Sequence, residues 1–263
     1  MTAPSVPRTA PPRRDAVLRL FCVPHAGGSA RVFRDWQRYA PPGIEVVPAG
    51  RGTRAGASAA RSVREIARDF AATVRATVGR NPYVLLGHSM GSLIAYEVAA
   101  AAGSKDLPAP ALLVVSGRNP PHRPPAWTHR VLGLTDGELL AELRALGSVP
   151  PGLSPSIAAH FFLPAFRADL RMAHTYLPAQ QLRCTVAPLL VLAGRQDPLT
   201  DDAVLPQWGR YSDEGCTVAH HDGGHFALYE RVPWLMGLIG AQLRRAEPGP
   251  PGRSSVGKEG HGC

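Results

Sequence analysis

Apolar residues recur along this chain in two alternating rhythms. Compact runs with no helical period occupy residues 17–23, 44–47, 83–86, 111–115 and 189–193, and each is bounded by Gly, Pro or polar positions. They predict buried strands, with 217–220 as a shorter candidate. Between them, apolar positions fall at helical intervals. Val32, Phe33, Trp36 and Tyr39 share one face of residues 31–40, and Val63, Ile66, Ala67, Phe70, Val74 and Val78 share one face of 62–78. A helix is predicted from Ser92 to about residue 102. Another covers 231–245, where Val232, Leu235, Met236, Ile239 and Leu243 form the stripe. Strand-helix alternation of this kind predicts an α/β fold with a mostly parallel central sheet and helices on both faces.

The alternation is interrupted once, from about 119 to 182. This segment has a Pro-rich start, a helix-like stretch at 136–146, a Pro-rich bend and a second helical region around 155–175. Lying between core strands, it is expected to be a helical lid or substrate-shaping subdomain, the alternative being an ordinary helical excursion packed on the sheet. Residues 17–245 then form one domain. Residues 1–16, rich in Pro and Arg, and 246–263 read as flexible tails, and 49–61 as a Gly-, Ala- and Arg-rich loop.

Composition narrows the picture. A chain of 263 residues with 44% hydrophobic content can bury a substantial core. It contains no apolar run of about 18 residues that would span a membrane. Pro4, Pro7, Pro11 and Pro12 precede the first apolar run, unlike a signal peptide. Cys22, Cys184, Cys216 and Cys263 lack metal-ligand spacing, which fits a reducing, cytoplasmic setting. The formal charge is +9, and Lys105 and Lys258 are the only lysines. Without a basic stripe interleaved with aromatics or zinc-finger spacing, this charge suits an acidic protein partner better than nucleic acid.

The chemistry is concentrated at Gly87-His88-Ser89-Met90-Gly91, between the predicted strand 83–86 and the helix that follows. A serine at such a junction stands on a sharp turn whose small neighbours allow close backbone approach, and the Met90 N–H can face a developing oxyanion. The base it needs is best supplied by His225 in Asp222-Gly223-Gly224-His225-Phe226, before the last helix. Asp197, in the loop after strand 189–193, is the expected orienting acid. Asp201 and Asp202 are nearby alternatives, and Asp222 is expected only to shape the histidine loop. The order Ser89, Asp197, His225 is that of an α/β-hydrolase. A second oxyanion donor is expected from Ala26 N–H in His25-Ala26-Gly27-Gly28. A phosphate-cradling role for that loop lacks the accompanying Gly-x-x-x-x-Gly-Lys-Ser/Thr pattern.

With these motifs in view, residues 17–243 resemble the stand-alone type II thioesterases of modular polyketide and nonribosomal peptide synthesis. The resemblance rests on Pro24-His25-Ala26-Gly27-Gly28-Ser29, Gly50-Arg51-Gly52-Thr53-Arg54, the serine elbow, Gly194-Arg195-Gln196-Asp197-Pro198 and Gly223-Gly224-His225-Phe226. It is strengthened by Phe162-Leu163-Pro164-Ala165-Phe166-Arg167-Ala168-Asp169 in the insertion. Ala49 stands where the family often has proline. The resemblance implies an α/β-hydrolase fold and hydrolysis of acyl groups from the phosphopantetheine arm of acyl or peptidyl carrier proteins, which frees stalled synthases. It also implies Ser89 as nucleophile, His225 as base, Asp197 as orienting acid, and the Ala26 and Met90 amides as oxyanion donors. No metal or organic cofactor is required. A carboxylesterase or lipase, a carrier-linked product-releasing thioesterase, and a non-catalytic protein on the same fold are the competing functions.

Two further groups of residues are candidates. Trp127, Phe161, Phe162, Phe166 and Met172 are expected either to line an apolar acyl channel or to pack the inserted helices. Arg51, Arg54, Arg118, Arg123 and Arg130 are expected either to dock an acidic carrier protein or to remain solvated or internally paired. A monomer with no nucleic-acid or membrane partner is expected.

Overall fold

The computed structural model of the protein describes residues 18–49, 62–79, 81–103, 107–149, 152–177 and 183–246. The two expected tails, apart from Ala246, and residues 50–61 of the expected loop lie outside them. The described strands are β1 (Leu18–Val23), β2 (Ile44–Pro48), β3 (Tyr83–His88), β4 (Leu112–Ser116), β5 (Leu189–Gly194) and β6 (Cys216–His221). They form one sheet in the order β2-β1-β3-β4-β5-β6, and every pairing is parallel. The chain winds outward from β1 to β2, then returns to lay β3 on the other side of β1. This reversal opens a crevice beyond the carboxyl ends of β1 and β3, where ligands of open parallel sheets bind.

Continuous apolar strands are required because both faces are covered. Along β1, Phe21 and Val23 face one buried cluster while Leu20 and Cys22 face the other. Tyr83 and Leu85 alternate in the same way with Val84 and Leu86 along β3. Helices α1 (Val63–Val78) and α2 (Met90–Ala101) cover the first face, and α7 (Val232–Ala246) covers the second. Helix α1 starts at a capping box in which Ser62 and Glu65 satisfy each other's backbone N–H.

The expected helix at 31–40 is instead two 3-10 turns, Ala30–Phe33 and Trp36–Tyr39. Spacing of three residues serves a 3-10 turn as well as a helix face, so Phe33 and Trp36 are still buried, with ring centroids 4.8 Å apart. Pro41 then drives Ala40 into an extended conformation and ends the segment.

Between β4 and β5 the insertion holds α3 (Ala126–Leu132), α4 (Asp136–Ala145), α5 (Pro155–Ile157), a π-helical turn (Ala158–Phe162) and α6 (Leu163–His174). Helix α3 lies where only a Pro-rich start was expected. The π turn precedes Pro164, which lacks an N–H and crowds the carbonyl four residues back, and the Leu163 N–H reaches five residues back to Ala158 O. Leu139, Leu143, Phe166 and Leu170 join the first buried cluster, so the insertion is packed onto the body of the domain. Its far end is held by Tyr176, whose hydroxyl donates to Glu97 Oε1 at 2.7 Å, and by Arg64, which bonds both Glu97 and the Leu177 carbonyl. No described helix is long and apolar enough to cross a membrane.

Candidate active site

Ser89 is the one non-glycine described residue with positive φ, at 55°. Such strain persists only where the surroundings hold it. Here the Ser89 N–H donates to Ser116 O at 2.7 Å, tying the turn to the end of β4. Ser92 Oγ accepts the Ser116 N–H at 3.1 Å and lies 2.9 Å from Gly87 O. The flanking glycines are sterically required. A Cβ on Gly87 would collide with the Gly91 carbonyl, and one on Gly91 with the Val23 carbonyl. Met90 opens α2, where the first N–H groups have no partner within the helix.

His225 lies in the turn after β6, and its Nδ1 stands 2.8 Å from Asp197 Oδ2. The two side chains are 2% and 1% exposed, so water barely screens the pair. Asp197 Oδ1 accepts the Leu199 N–H at 2.9 Å, which fixes the carboxylate in its loop after β5. That loop and the histidine loop are laced together. Arg195 N–H donates to His221 O, Gln196 N–H to Gly223 O, and Gly223 N–H to Gln196 Oε1. Asp201 instead caps its own turn through Ala203 N–H, exposed Asp202 pairs with His220, and exposed Asp222 offers its carbonyl to Arg231. Among the described residues, the acid bonded to His225 is Asp197.

Ser89, His225, Ala26 and Met90 border one cavity, which encloses about 500 Å³ including its mouth. Gly117, directly after β4, makes room there. With φ at 61°, it would place a Cβ 2.7 Å from His88 Cε1 and 3.1 Å from His225 Cε1. His88 Nδ1 lies 3.1 Å from Ser116 Oγ, while Nε2 is buried without a partner. Burial foremost, then the neighbouring histidines 225, 25 and 221, holds its pKa well below the usual histidine value. The loop after β1 is fastened by Gly27 N–H, which donates to Asp169 Oδ2 of α6 at 2.7 Å. His25 joins it to the histidine loop through Tyr229 OH at 2.8 Å and an edge contact with Phe226.

Trp127 and Phe166 border the cavity, as an acyl channel requires. Half-buried Phe162 packs beside Phe166 and over Gly27. Met172 is buried in the core cluster, which is the packing alternative. Phe161 is 80% exposed, and consecutive positions on a helical turn point it away from Phe162; it is no channel residue. Of the docking arginines, Arg123 is exposed, and Arg130 is held bidentately by Glu142 at 2.7 and 3.0 Å. Arg118 is only 6% exposed and borders the cavity, so a protein partner cannot reach it as a surface charge. Arg51 and Arg54 lie outside the described residues.

Ser92, Ser116, Gly117 and the Asp169 contact were not read from sequence as site elements. Asp169 carried a signal, an acid among Phe166, Leu170 and Ala173 on the buried face of its helix. Ser116 and Gly117 carried a weaker one, small residues at a strand's carboxyl end.

A parallel sheet with a serine elbow after β3, an acid after β5 and a histidine after β6 defines an α/β-hydrolase. Residues 18–243 match the Thioesterase domain family, and the chain belongs to it. It is 32% identical over 235 residues to gramicidin S biosynthesis protein GrsT of Aneurinibacillus migulanus, covering 87% of this chain and 90% of that one. It is 32% identical over 226 residues to thioesterase PikA5 of Streptomyces venezuelae, covering 84% and 79%. Among solved structures, the type II thioesterase BorB from the borrelidin biosynthetic cluster superposes with a TM-score of 0.75 at 31% identity, covering 91% of this chain and 97% of that one. The chain is a thioesterase of the type II kind.

Proposed function

We propose that the enzyme hydrolyses acyl groups carried as thioesters on the phosphopantetheine arm of an acyl or peptidyl carrier protein, acting as a soluble cytoplasmic monomer that restores stalled synthases. The observation that carries the mechanism is the buried His225–Asp197 pair at 2.8 Å, whose histidine borders the same cavity as the strained Ser89.

With Nδ1–H donated to Asp197, His225 presents Nε2 as a base. Ser89 Oγ attacks the thioester carbonyl as His225 takes its proton. The Ala26 and Met90 N–H groups receive the oxyanion of the tetrahedral intermediate. Its collapse breaks the C–S bond, and His225 returns the proton to the departing thiol. Water then attacks the acyl-enzyme as His225 accepts its proton; collapse breaks the bond between the acyl carbon and Ser89 Oγ, His225 returns the proton to that oxygen, and the acid leaves. Every proton taken is returned, so the cycle needs no metal or redox partner. The insertion acts as the lid of this site, and Trp127 and Phe166 are its acyl-contacting aromatics. Exposed Arg123, with Arg51 and Arg54, steers the carrier protein.

The test is Ser89→Ala with an acyl-loaded carrier protein. Turnover is expected to fall at least about a thousandfold while the thermal unfolding profile is kept. Wild-type turnover by that variant would overturn the mechanism.

A further inference from the structure

The two backbone donors of the oxyanion site are held in different ways. Met90 N–H belongs to the first turn of α2, and the helix behind it fixes its direction. Ala26 lies in the irregular loop after β1. A peptide N–H shares one rigid plane with the carbonyl before it, so the Ala26 N–H points wherever the placing of His25 directs it. The His25 carbonyl accepts the Gly28 N–H at 3.0 Å. The imidazole lies back over the same turn, where a Cβ on Gly28 would stand 3.0 Å from His25 Cε1, Nε2 and the carbonyl oxygen.

On its other side, His25 Nδ1 is 2.8 Å from Tyr229 OH. Tyr229 stands on the 3-10 turn Ala227–Glu230, in the loop that follows His225. Its ring packs against Phe33, Trp36 and His88 at centroid separations of 5.8, 5.9 and 5.2 Å, and stacks on Phe226 at 6.3 Å. Burial foremost pushes its pKa well above the usual tyrosine value, so the hydroxyl keeps its proton. A phenylalanine would fill the same aromatic cage, so what the tyrosine adds is the bond to His25.

We propose that Tyr229 is a positioning residue of the oxyanion site. Through His25 it holds the His25–Ala26 peptide so that the Ala26 N–H faces the oxyanion before charge develops. Tyr229 and the base His225 share one short loop, so the same contact keeps donor and base in register. The inference rests on the hydrolytic reading of Ser89 and deepens it by naming what sets one of its donors.

The experiment compares the wild type with Tyr229→Phe, which keeps the ring and removes one oxygen. On an acyl-pantetheine, kcat is expected to fall about five- to tenfold with KM within about twofold. Two inhibitors separate positioning from packing. A trifluoromethyl ketone analogue of the substrate adds Ser89 Oγ and places an oxyanion at the two donors. An analogue with an amide in place of the thioester keeps an uncharged carbonyl. The Ki of the ketone should rise about as much as kcat/KM falls, while that of the amide stays within about twofold. His25→Leu cuts the same contact from the other end and should give the same pattern. The double variant should be within about twofold of the slower single one. Should Tyr229→Phe fail to fold, His25→Leu alone reads the split. Unchanged ketone affinity, or equal weakening of both inhibitors, overturns the inference alone. A wild type that neither hydrolyses the thioester nor binds the ketone overturns the hydrolytic reading and this inference with it.

Discussion

Asp169 in α6 accepts the Gly27 N–H at 2.7 Å, so a carboxylate of the insertion sets the backbone next to the Ala26 amide. An oxyanion donor works only if it is held in place before charge develops. Asp169→Asn removes the charge but keeps an acceptor. A charge-assisted bond exceeds a neutral one by about 1 kcal/mol, so kcat is expected to fall roughly fivefold with KM little changed. Steady-state kinetics beside a melting curve decide it. A lower Tm with unchanged kcat would reduce the contact to a packing bond.

Asp197→Asn should leave the domain folded, because the asparagine oxygen can still accept the Leu199 N–H. It should nevertheless lose about 10⁴-fold in kcat, the loss seen when such a histidine is held in the wrong tautomer. Pre-steady-state acylation by an activated ester reads the step directly. A loss smaller than tenfold would assign the orienting role to another group.

Gly117→Ala is expected to harm catalysis before stability. The new methyl would lie 3.1 Å from His225 Cε1, and φ at 61° disfavours any side chain by about 1 kcal/mol. We expect kcat to drop tenfold or more with a Tm decrease of a few degrees. A variant with wild-type kcat would show that the His225 ring tolerates displacement.

Acid should weaken the fold through His88. Its folded pKa lies below the ordinary 6.5, so in the window below pH 6.5 the unfolded chain binds the proton more readily. Stability is therefore full above 6.5 and falls as pH drops, by up to about 1.4 kcal/mol per pH unit for this one group. His221, lowered mainly by burial, adds in the same direction. Denaturant melts from pH 7.5 to 5 should be steeper in pH for the wild type than for His88→Gln. Parallel slopes would remove His88 as the cause.

Carrier steering concerns Arg123. Charge reversal to Glu should lower kcat/KM on an acyl-carrier protein several-fold at low salt, with the loss shrinking at 0.5 M salt, and should spare the acyl-pantetheine. Equal loss on both substrates would indicate damage to the cavity. The same change at Arg130 would be harder to read, since Arg130 is engaged with Glu142.

The parallel sheet was legible because strands buried on both faces need continuous apolar runs, and residues 20–23, 83–86, 112–115 and 189–193 supply them in β1, β3, β4 and β5. The elbow was legible because Gly87 and Gly91 are demanded by backbone collisions, a constraint confined to five consecutive residues. The 3-10 turns at 30–39 were not, since residues three apart satisfy two kinds of helix equally. The place of Arg118 was hidden for a different reason. An arginine beside prolines looks like a surface charge until the strand end, Trp208 and the insertion close over it. Asp169 and Gly27 are separated by 142 positions, and no local pattern announces a bond across that distance.

Ser89, Asp197 and His225 follow three different strands, whereas most walls of the cavity come from one uninterrupted stretch between β4 and β5. A double crossover between two genes, with one cut after Gly117 and one before β5, would exchange most of the selectivity apparatus while leaving the reactive groups untouched. Such a chimaera inherits an obligation to the catalytic loops, because the incoming segment must still present an acid to the Gly27 amide. Diversification of acyl choice is thus open to recombination as well as to point substitution, with Asp169 as the coupling that any donor segment has to match.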